Sequence, residues 1–365
     1  MGGEEMKYIE EAFAANWIAP LGKNVNEFEK EMCEFVGRSQ ALALSSGTAA
    51  IHLGLKYFGV GVGDIVFCQS FTFIASCNPA AYLGAKLVFI DSERESWNMC
   101  PKALEKAYKK YPNPKAIIVV NLYGQPANYD KLLPIAQKHG TPVLEDAAES
   151  LGATYRGVQT GNFGDISILS FNGNKIITTS GGGMAMASDE KAKNKMLFWA
   201  TQARESCLWY QHEEVGYNYR LSNISAGIGR GQIKVLPTRV AQKRRINKLY
   251  RQQFIDCEHI SFPTGLEDSQ PSFWLTTILL SKECKVKPMD IVNELAKHNI
   301  ETRPAWKPMH IQPVYKNCDF ISVQESGSVC DDLYNRGLCL PSDTKMTDNE
   351  VMYVADMIKQ IIEGI

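Results

Sequence analysis

The 365-residue sequence has no apolar run approaching the roughly 20 residues of a membrane span. It has no basic excess either. Its 39 Lys+Arg stand against 40 Asp+Glu, a formal net charge of -1, so it lacks the positive charge that displaces counterions from nucleic-acid phosphates. None of its 10 cysteines forms a C-x-x-C pair, and its six histidines show neither H-x-x-x-H nor H-E-x-x-H spacing. The common zinc and redox motifs are therefore missing, and no metal site is expected. The start, Met1-Gly2-Gly3-Glu4-Glu5, has no basic region and no apolar stretch, so no signal peptide is expected. Internal repeats and low-complexity tracts are absent. With 45% apolar and 22% charged residues, the composition is that of a globular chain with a large core. These features predict a cytoplasmic protein with reduced, mostly core cysteines and no membrane or nucleic-acid partner.

What is present is an alternation of short apolar runs and amphipathic ones. Met6, Ile9 and Phe13 recur at helical spacing; Asn24 can cap a second helix with the stripe Val25, Phe28, Met32 and Phe35. The spacing then predicts strands at 41–44, 65–68, 86–90, 116–122 and 142–145. Helices are expected at 48–58, 75–83, 101–109 and 130–139. The run from Ala116 to Leu122 is continuously apolar, as in a strand buried on both faces. The alternation predicts an α/β fold with a mostly parallel sheet covered by helices. After about residue 240 the pattern changes. A basic helix over 238–254, a strand at 273–280, a helix at 288–298 and a strand at 338–340 precede a terminal helix opened by Thr347 and Glu350. Residues 1–240 are thus expected to form a large domain and 241–365 a smaller α+β one.

Gly59-Val60-Gly61-Val62-Gly63 looks like a dinucleotide loop but follows a helix and precedes a strand, the reverse of what that loop needs, so a plain turn is expected. Three other segments carry chemistry. Ser45-Ser46-Gly47-Thr48-Ala49-Ala50 follows a strand and opens a helix, where backbone N–H groups can meet an anion. Glu145-Asp146-Ala147-Ala148-Glu149 follows an apolar strand, so Asp146 stands where open parallel sheets place ligands, or else caps a helix. Lys175 lies among small, polar and apolar residues before Ser180-Gly181-Gly182-Gly183. Such surroundings can hold a lysine with lowered pKa, as an imine-forming nucleophile needs; a surface lysine in a hairpin is the bland alternative.

Taken together these segments resemble the cofactor site of a fold-type I, pyridoxal-phosphate-dependent aminotransferase. More narrowly, the chain is similar from end to end to the nucleotide-sugar aminotransferases of the DegT/DnrJ/EryC1/StrS family. The matching segments are 46–50, Thr72-Phe73-Ile74-Ala75-Ser76, 145–148, Ser170-Phe171 with Lys175, Gly216-Tyr217-Asn218-Tyr219-Arg220, and 303–310. Three features depart from the common family pattern: Ser180 and three glycines in place of Gly-Glu-Gly-Gly, Glu149 in place of Gln, and an early-looking start. The first two, with Asn172-Gly173-Asn174, resemble the PglE/LegC-type branch that aminates C4 of UDP-4-keto-6-deoxy-N-acetylglucosamine.

The resemblance implies a role for each residue. Lys175 forms the imine with pyridoxal phosphate and then serves as general base. Asp146 pairs with the ring nitrogen and Phe73 stacks on the ring. Gly47, Thr48 and Ser170 hold the phosphate, joined by Asn218 from the neighbouring subunit, which makes the active unit a homodimer. Glu149 stands at the position that contacts the phenolic oxygen. His310 and Arg303 are assigned to the sugar-nucleotide side, with structural roles as the alternative. Trp209, Tyr210, Tyr217 and Tyr219 are candidates for the nucleotide cleft. The substrates implied are a UDP-linked keto sugar and L-glutamate, with dTDP- or GDP-linked sugars as alternatives. A dehydratase of the same fold, in which histidine usually replaces the lysine, is a further alternative, as is a non-catalytic regulator.

Overall fold

The computed structural model describes residues 1–364. Two helices, α1 (Glu5–Ala14) and α2 (Lys23–Val36), precede β1 (Gln40–Leu44). Strand and helix then alternate: α3 (Gly47–Tyr57), β2 (Ile65–Gln69), α4 (Asn78–Tyr82), β3 (Lys86–Ile90), α5 (Pro101–Lys110), β4 (Ala116–Val120), α6 (Tyr129–Lys138) and β5 (Val143–Asp146). Next come β6 (Ile166–Ser170), β7 (Gly183–Ala187), α7 (Glu190–Ala200), α8 (Asn223–Ile233) and α9 (Leu236–Gln253). The C-terminal part holds β8 (Ile260–Ser261), β9 (Thr276–Leu280), α10 (Pro288–Ala296), β10 (Arg303–Pro304), β11 (Asp319–Ile321), α11 (Val329–Arg336), β12 (Gly337–Leu340) and α12 (Asp348–Glu363).

The large sheet has the order β1-β7-β6-β5-β4-β2-β3-β11. All its neighbours pair in parallel except β7, which runs antiparallel to both β1 and β6. Every residue of β4 is buried, as its unbroken Ala-Ile-Ile-Val-Val run requires when helices cover both faces. The fold is thus α/β, as the alternation predicts. A second sheet, β8-β9-β12-β10, is antiparallel and packs its apolar face on α9, α10 and α12 through Ile246, Ile278, Ile291, Leu338 and Val351.

Several expectations change at the level of packing. The first helix forms, but Met6 and Phe13 are exposed and the face that packs is Glu5, Tyr8 and Ala12. Gly22, not Asn24, precedes α2; Asn24 is buried and donates to the Tyr8 and Asn223 carbonyls while accepting from Arg230. The helix expected over 75–83 splits into a 3-10 turn, Ile74–Ser76, and α4, because Pro79 has no N–H to continue the first ladder. The strand expected from Phe273 starts at Thr276, since Phe273 takes a left-handed φ of 50° and turns Trp274 away from the sheet. The expected division near residue 240 falls inside α9, and β11 returns from the C-terminal part to pair with β3 of the large sheet. The five glycine-rich residues at 59–63 form the turn expected of them, with Gly59 and Gly63 at positive φ.

One buried carboxylate organises the end of β5. Glu145 accepts from Asn121 Nδ2, from the N–H groups of Gly161, Phe163 and Gly164, and from Ser167 Oγ. Each donor left without an acceptor costs about 1–3 kcal/mol. Glu145→Leu should therefore lower stability by at least about 3 kcal/mol, read as a shift of the urea unfolding midpoint. A midpoint equal to that of the unsubstituted protein would show that these donors find other partners.

Candidate active site

The carboxyl ends of β1, β2, β5 and β6 open on a cavity of about 290 Å³, the place where open parallel sheets bind ligands. It is built from four sides.

The first side is the turn from β1 into α3. Ser46 caps the helix: its Oγ accepts from Ala49 N at 3.0 Å, and its carbonyl accepts from Ala50 N at 3.2 Å. The N–H groups of Gly47 and Thr48 then form the open, positive end of the helix, which favours an anion. Ser170, the last residue of β6, lies across Gly47; a Cβ on residue 47 would stand 3.2 Å from Ser170 Cβ. Gly183 backs the same turn, where any Cβ would run into the backbone of Ser46 and Gly47. One glycine of the triple run is thus required by close backbone approach.

The second side is the end of β5. Asp146 is buried, with Oδ2 accepting from Ser76 Oγ at 2.6 Å and Oδ1 from Ala148 N at 3.1 Å. Burial pushes its pKa up, with the Ser76 and Ala148 hydrogen bonds and Lys175 opposing. Glu149 follows one turn later. Its Oε2 accepts from Tyr123 N at 2.8 Å, and burial raises its pKa to about 7 against the pull of Lys175.

The third side is the loop between β6 and β7, which carries Lys175. Its side chain is only 12% exposed. The Nζ lies 3.7 Å from Glu149 Oε1 and 3.9 Å from the centre of the Trp274 ring. Burial lowers its pKa, with Glu149 and Asp146 opposing. Lysine in this state is closer to a neutral nucleophile than a solvated one. The hairpin lysine of the bland alternative would be solvated, and this one is not.

The fourth side comes from the C-terminal part. Trp274 Nε1 donates to Asn174 O at 2.7 Å, pinning the residue before Lys175. Trp306 packs on Trp274, on Tyr123 and on Phe73, with ring centres 6.0, 5.0 and 5.3 Å apart. Phe73 is 52% exposed and stands at the mouth.

The cavity therefore gathers Gly47, Thr48, Phe73, Asp146, Glu149, Ser170 and Lys175. Three other candidates lie elsewhere. Arg303 projects into solvent and pairs with Glu301 at 2.6 Å, because the edge strand β10 turns it outward. His310 is held by Ser70 Oγ on Nδ1 at 2.8 Å and by its ring stacked on Phe320, while Nε2 stands 3.3 Å from Asp331 Oδ1 without a well-aligned hydrogen bond. The three side chains stand in the order of a hydrolytic triad, yet Ser70 is fully buried, so its bond to His310 ties the C-terminal part to the large sheet. Asn218 is exposed, and among the described residues it bridges to Thr201 of its own chain. Tyr217 and Tyr219 stack on each other over His52, while Trp209 and Tyr210 are exposed; none of the four lines the cavity.

Sequence reasoning gave no role to Ser76, Trp274 or Trp306. Ser76 and Trp306 lay inside matched segments, whereas Trp274 sat in an expected strand. Trp274→Phe keeps a ring beside Lys175 but loses the bond to Asn174. It should cost about 1 kcal/mol locally, a roughly fivefold faster amide exchange over residues 172–182 by mass spectrometry. Unchanged exchange there would show that the indole N–H does not restrain the loop.

The pattern of the DegT/DnrJ/EryC1/StrS aminotransferase family matches residues 1–359. EpsN of Bacillus subtilis (strain 168), provisionally named a pyridoxal phosphate-dependent aminotransferase, is 49% identical over 100% of this chain and 95% of its own length. GDP-perosamine synthase of Caulobacter vibrioides is 34% identical, covering 99% of this chain and 96% of that one. The UDP-4-amino-4,6-dideoxy-N-acetyl-beta-L-altrosamine transaminase of Campylobacter jejuni is 31% identical over 94% and 91%. A crystal structure of a DegT DnrJ EryC1 StrS aminotransferase from Brucella abortus superposes with a TM-score of 0.90 at 27% identity, covering 98% of this chain and 95% of that one. The chain belongs to the DegT/DnrJ/EryC1/StrS aminotransferase family and is a pyridoxal-phosphate-dependent aminotransferase.

Proposed function

We propose that this enzyme moves an amino group from L-glutamate to the C4 keto carbon of a UDP-linked 4-keto-6-deoxy-N-acetylhexosamine. The product is UDP-4-amino-4,6-dideoxy-N-acetylglucosamine, a precursor of bacillosamine- or legionaminic-acid-type glycans, made by a cytoplasmic homodimer. The observation that carries the reading is the convergence of buried Lys175, Asp146 and the open end of α3 on one cavity. The UDP-linked substrate is supported by the Asn172–Lys175 and Ser180–Gly183 segments with Glu149, and by the relative named for a UDP-linked 4,6-dideoxy-N-acetyl sugar. A GDP-linked keto sugar is the second reading, favoured by the relative named GDP-perosamine synthase.

The residues suit the cofactor. The N–H groups of Gly47 and Thr48, with the hydroxyls of Thr48 and Ser170, offer donors for a phosphate at a helix start. Phe73 and Trp306 offer faces for a planar ring at the mouth. Pyridoxal phosphate supplies an aldehyde that captures amines and a ring that accepts electrons. Asp146, fixed by Ser76 and Ala148, would hold the ring nitrogen with its carboxylate and keep it protonated. Such a partner restores the charge that burial disfavours. Lys175 would hold the aldehyde through its amine, and its Nζ would carry the proton that moves between carbons. Asn218, exposed on its own chain, is free to reach the phosphate of a second copy.

Purified enzyme incubated with glutamate and a panel of UDP-, GDP- and dTDP-linked 4-keto sugars should aminate the UDP-linked N-acetyl sugar fastest, read by mass spectrometry. Faster turnover of the GDP sugar would favour the second reading. Lys175→Ala should abolish turnover, and Asp146→Asn should cost on the order of 3 kcal/mol, ~10²-fold in rate. An Asp146→Asn enzyme within twofold of the unsubstituted one, at full cofactor occupancy, would make Asp146 a cap only.

Mixing Lys175→Ala with Asn218→Trp chains tests the shared site. If Asn218 serves the partner's site, one site of each mixed dimer receives both lesions and the other receives none. Activity should then recover to about half per mixed dimer, since symmetric dimers place identical patches in reciprocal contact. Activity that stays at the average of the parents, with exchange demonstrated, would place Asn218 outside the partner's site.

A further inference from the structure

Glu149 stands where a carboxylate is costly. It is buried, and one oxygen is already held by the Tyr123 N–H at 2.8 Å. The other, Oε1, faces Lys175 Nζ at 3.7 Å, and among the described residues this is its only ion pair. Asp146, from the end of β5, faces it with like charge. The Tyr123 hydroxyl and Cys339, from β12, lie behind it, both buried and both with raised pKa. Glu145 on the opposite face of β5 is taken up by five donors of its own.

The pair therefore has two forms of equal net charge. In one, an ammonium and a carboxylate are both held out of water. In the other, the proton sits on Oε1 and both groups are neutral. Burial disfavours the first form through each partner separately. It also draws the two affinities together, lowering that of Lys175 and raising that of Glu149 to about 7. The 3.7 Å gap is slightly beyond a hydrogen bond. A glutamine here would keep the Tyr123 hydrogen bond but could not accept a proton.

We propose that Glu149 is a catalytic residue, the proton acceptor that converts Lys175 from ammonium to free amine for attack on the cofactor aldehyde. The proposal rests on the reading above that Lys175 makes that attack. One N–H bond of Lys175 breaks as an O–H bond forms on Glu149 Oε1. The freed lone pair then forms the bond to the aldehyde carbon. The two protons remaining on the nitrogen leave with the aldehyde oxygen as one water, and nothing is oxidised or reduced.

Infrared difference spectroscopy tests this directly. Cofactor-free protein is compared with the same protein after addition of pyridoxal phosphate, with and without ¹³C-labelled glutamate residues. Loading is verified separately by borohydride reduction and peptide mass spectrometry at Lys175. A carbonyl band of a protonated carboxylic acid should appear on loading, up to one per chain. It should move with the glutamate label, which excludes Asp146, and be lost in Glu149→Gln. The labelled protein carries no substitution, so the test does not depend on that variant folding. Lys175 modified without a glutamate-derived band, or a band that persists in folded Glu149→Gln, overturns the proposal and leaves the aminotransferase reading intact. Failure of Lys175 to be modified overturns both.

Discussion

Two carboxylates side by side at the end of β5 set the rest of the site. Glu145 and Asp146 are consecutive, so they point to opposite faces of the sheet. Glu145 is fully buried and satisfied by five donors, three of them backbone N–H groups from the segment 161–164. Those donors have no water to fall back on, so the loop before β6 is pinned wherever the carboxylate sits. Asn121 extends the constraint: its Oδ1 accepts from Ala127 N and from the Tyr129 hydroxyl, which fixes the turn into α6. With one face of the strand end immobilised, Asp146 on the other has little freedom left. Ser76 and Ala148 N remove the rest.

The cavity also depends on the C-terminal part, through ties that are polar and buried. Lys243 of α9 donates to the carbonyls of Trp274 and Ser342 at 2.9 and 2.5 Å. Burial lowers its pKa to about 8. It holds the start of β9 so that Trp274 meets Asn174 and the Lys175 amine. Asp91, after β3, accepts from the N–H groups of Val329 and Cys330 and so caps α11 from the large sheet. The Ser70–His310 hydrogen bond is a third tie. These polar ties lie beside an apolar contact in which Trp274, Ala305, Val329 and Leu333 share one buried cluster with Phe71, Trp97 and Tyr123 of the large part.

Five strands of the large sheet, β1 to β5, were legible in the sequence; β6, β7 and β11 were not read as strands, although β6 and β7 are also buried. Short unbroken apolar runs such as Ala116–Val120 have no other reading between two amphipathic helices, and their ends fall within a residue or two of expectation. Local context made Asp146 and Lys175 candidates, a strand end in one case and a lysine without nearby acids in the other, but each kept a bland alternative until the segments were taken together with the family resemblance. What failed were choices made by distant partners. The exposed Met6–Phe13 stripe is more apolar than the Glu5–Tyr8–Ala12 face that packs, but Glu5 finds Gln232 Nε2 and the N–H groups of Gly2 and Gly3, which periodicity does not report. Trp274 resembles any strand residue until Phe273 takes its left-handed turn. Arg303 and His310 share a segment with Trp306, yet only Trp306 reaches the cavity, because an edge strand and a hydrogen bond to Ser70 hold the other two away.

The charges in the cavity have a polarity of their own. At one end the first N–H groups of α3 carry the positive pole of an eleven-residue helix, with no acidic residue in its first turn to cancel it. At the other end Asp146 and Glu149 oppose the single ammonium of Lys175. A ligand that is anionic at one end and carries a protonated nitrogen at the other completes both halves at once. Two buried acids face one base there, and burial raises both acids' affinity for protons. Filling the cavity then relieves an electrostatic cost already built into the fold. That relief makes binding and folding favour the same arrangement of β5, the lysine loop and the start of α3.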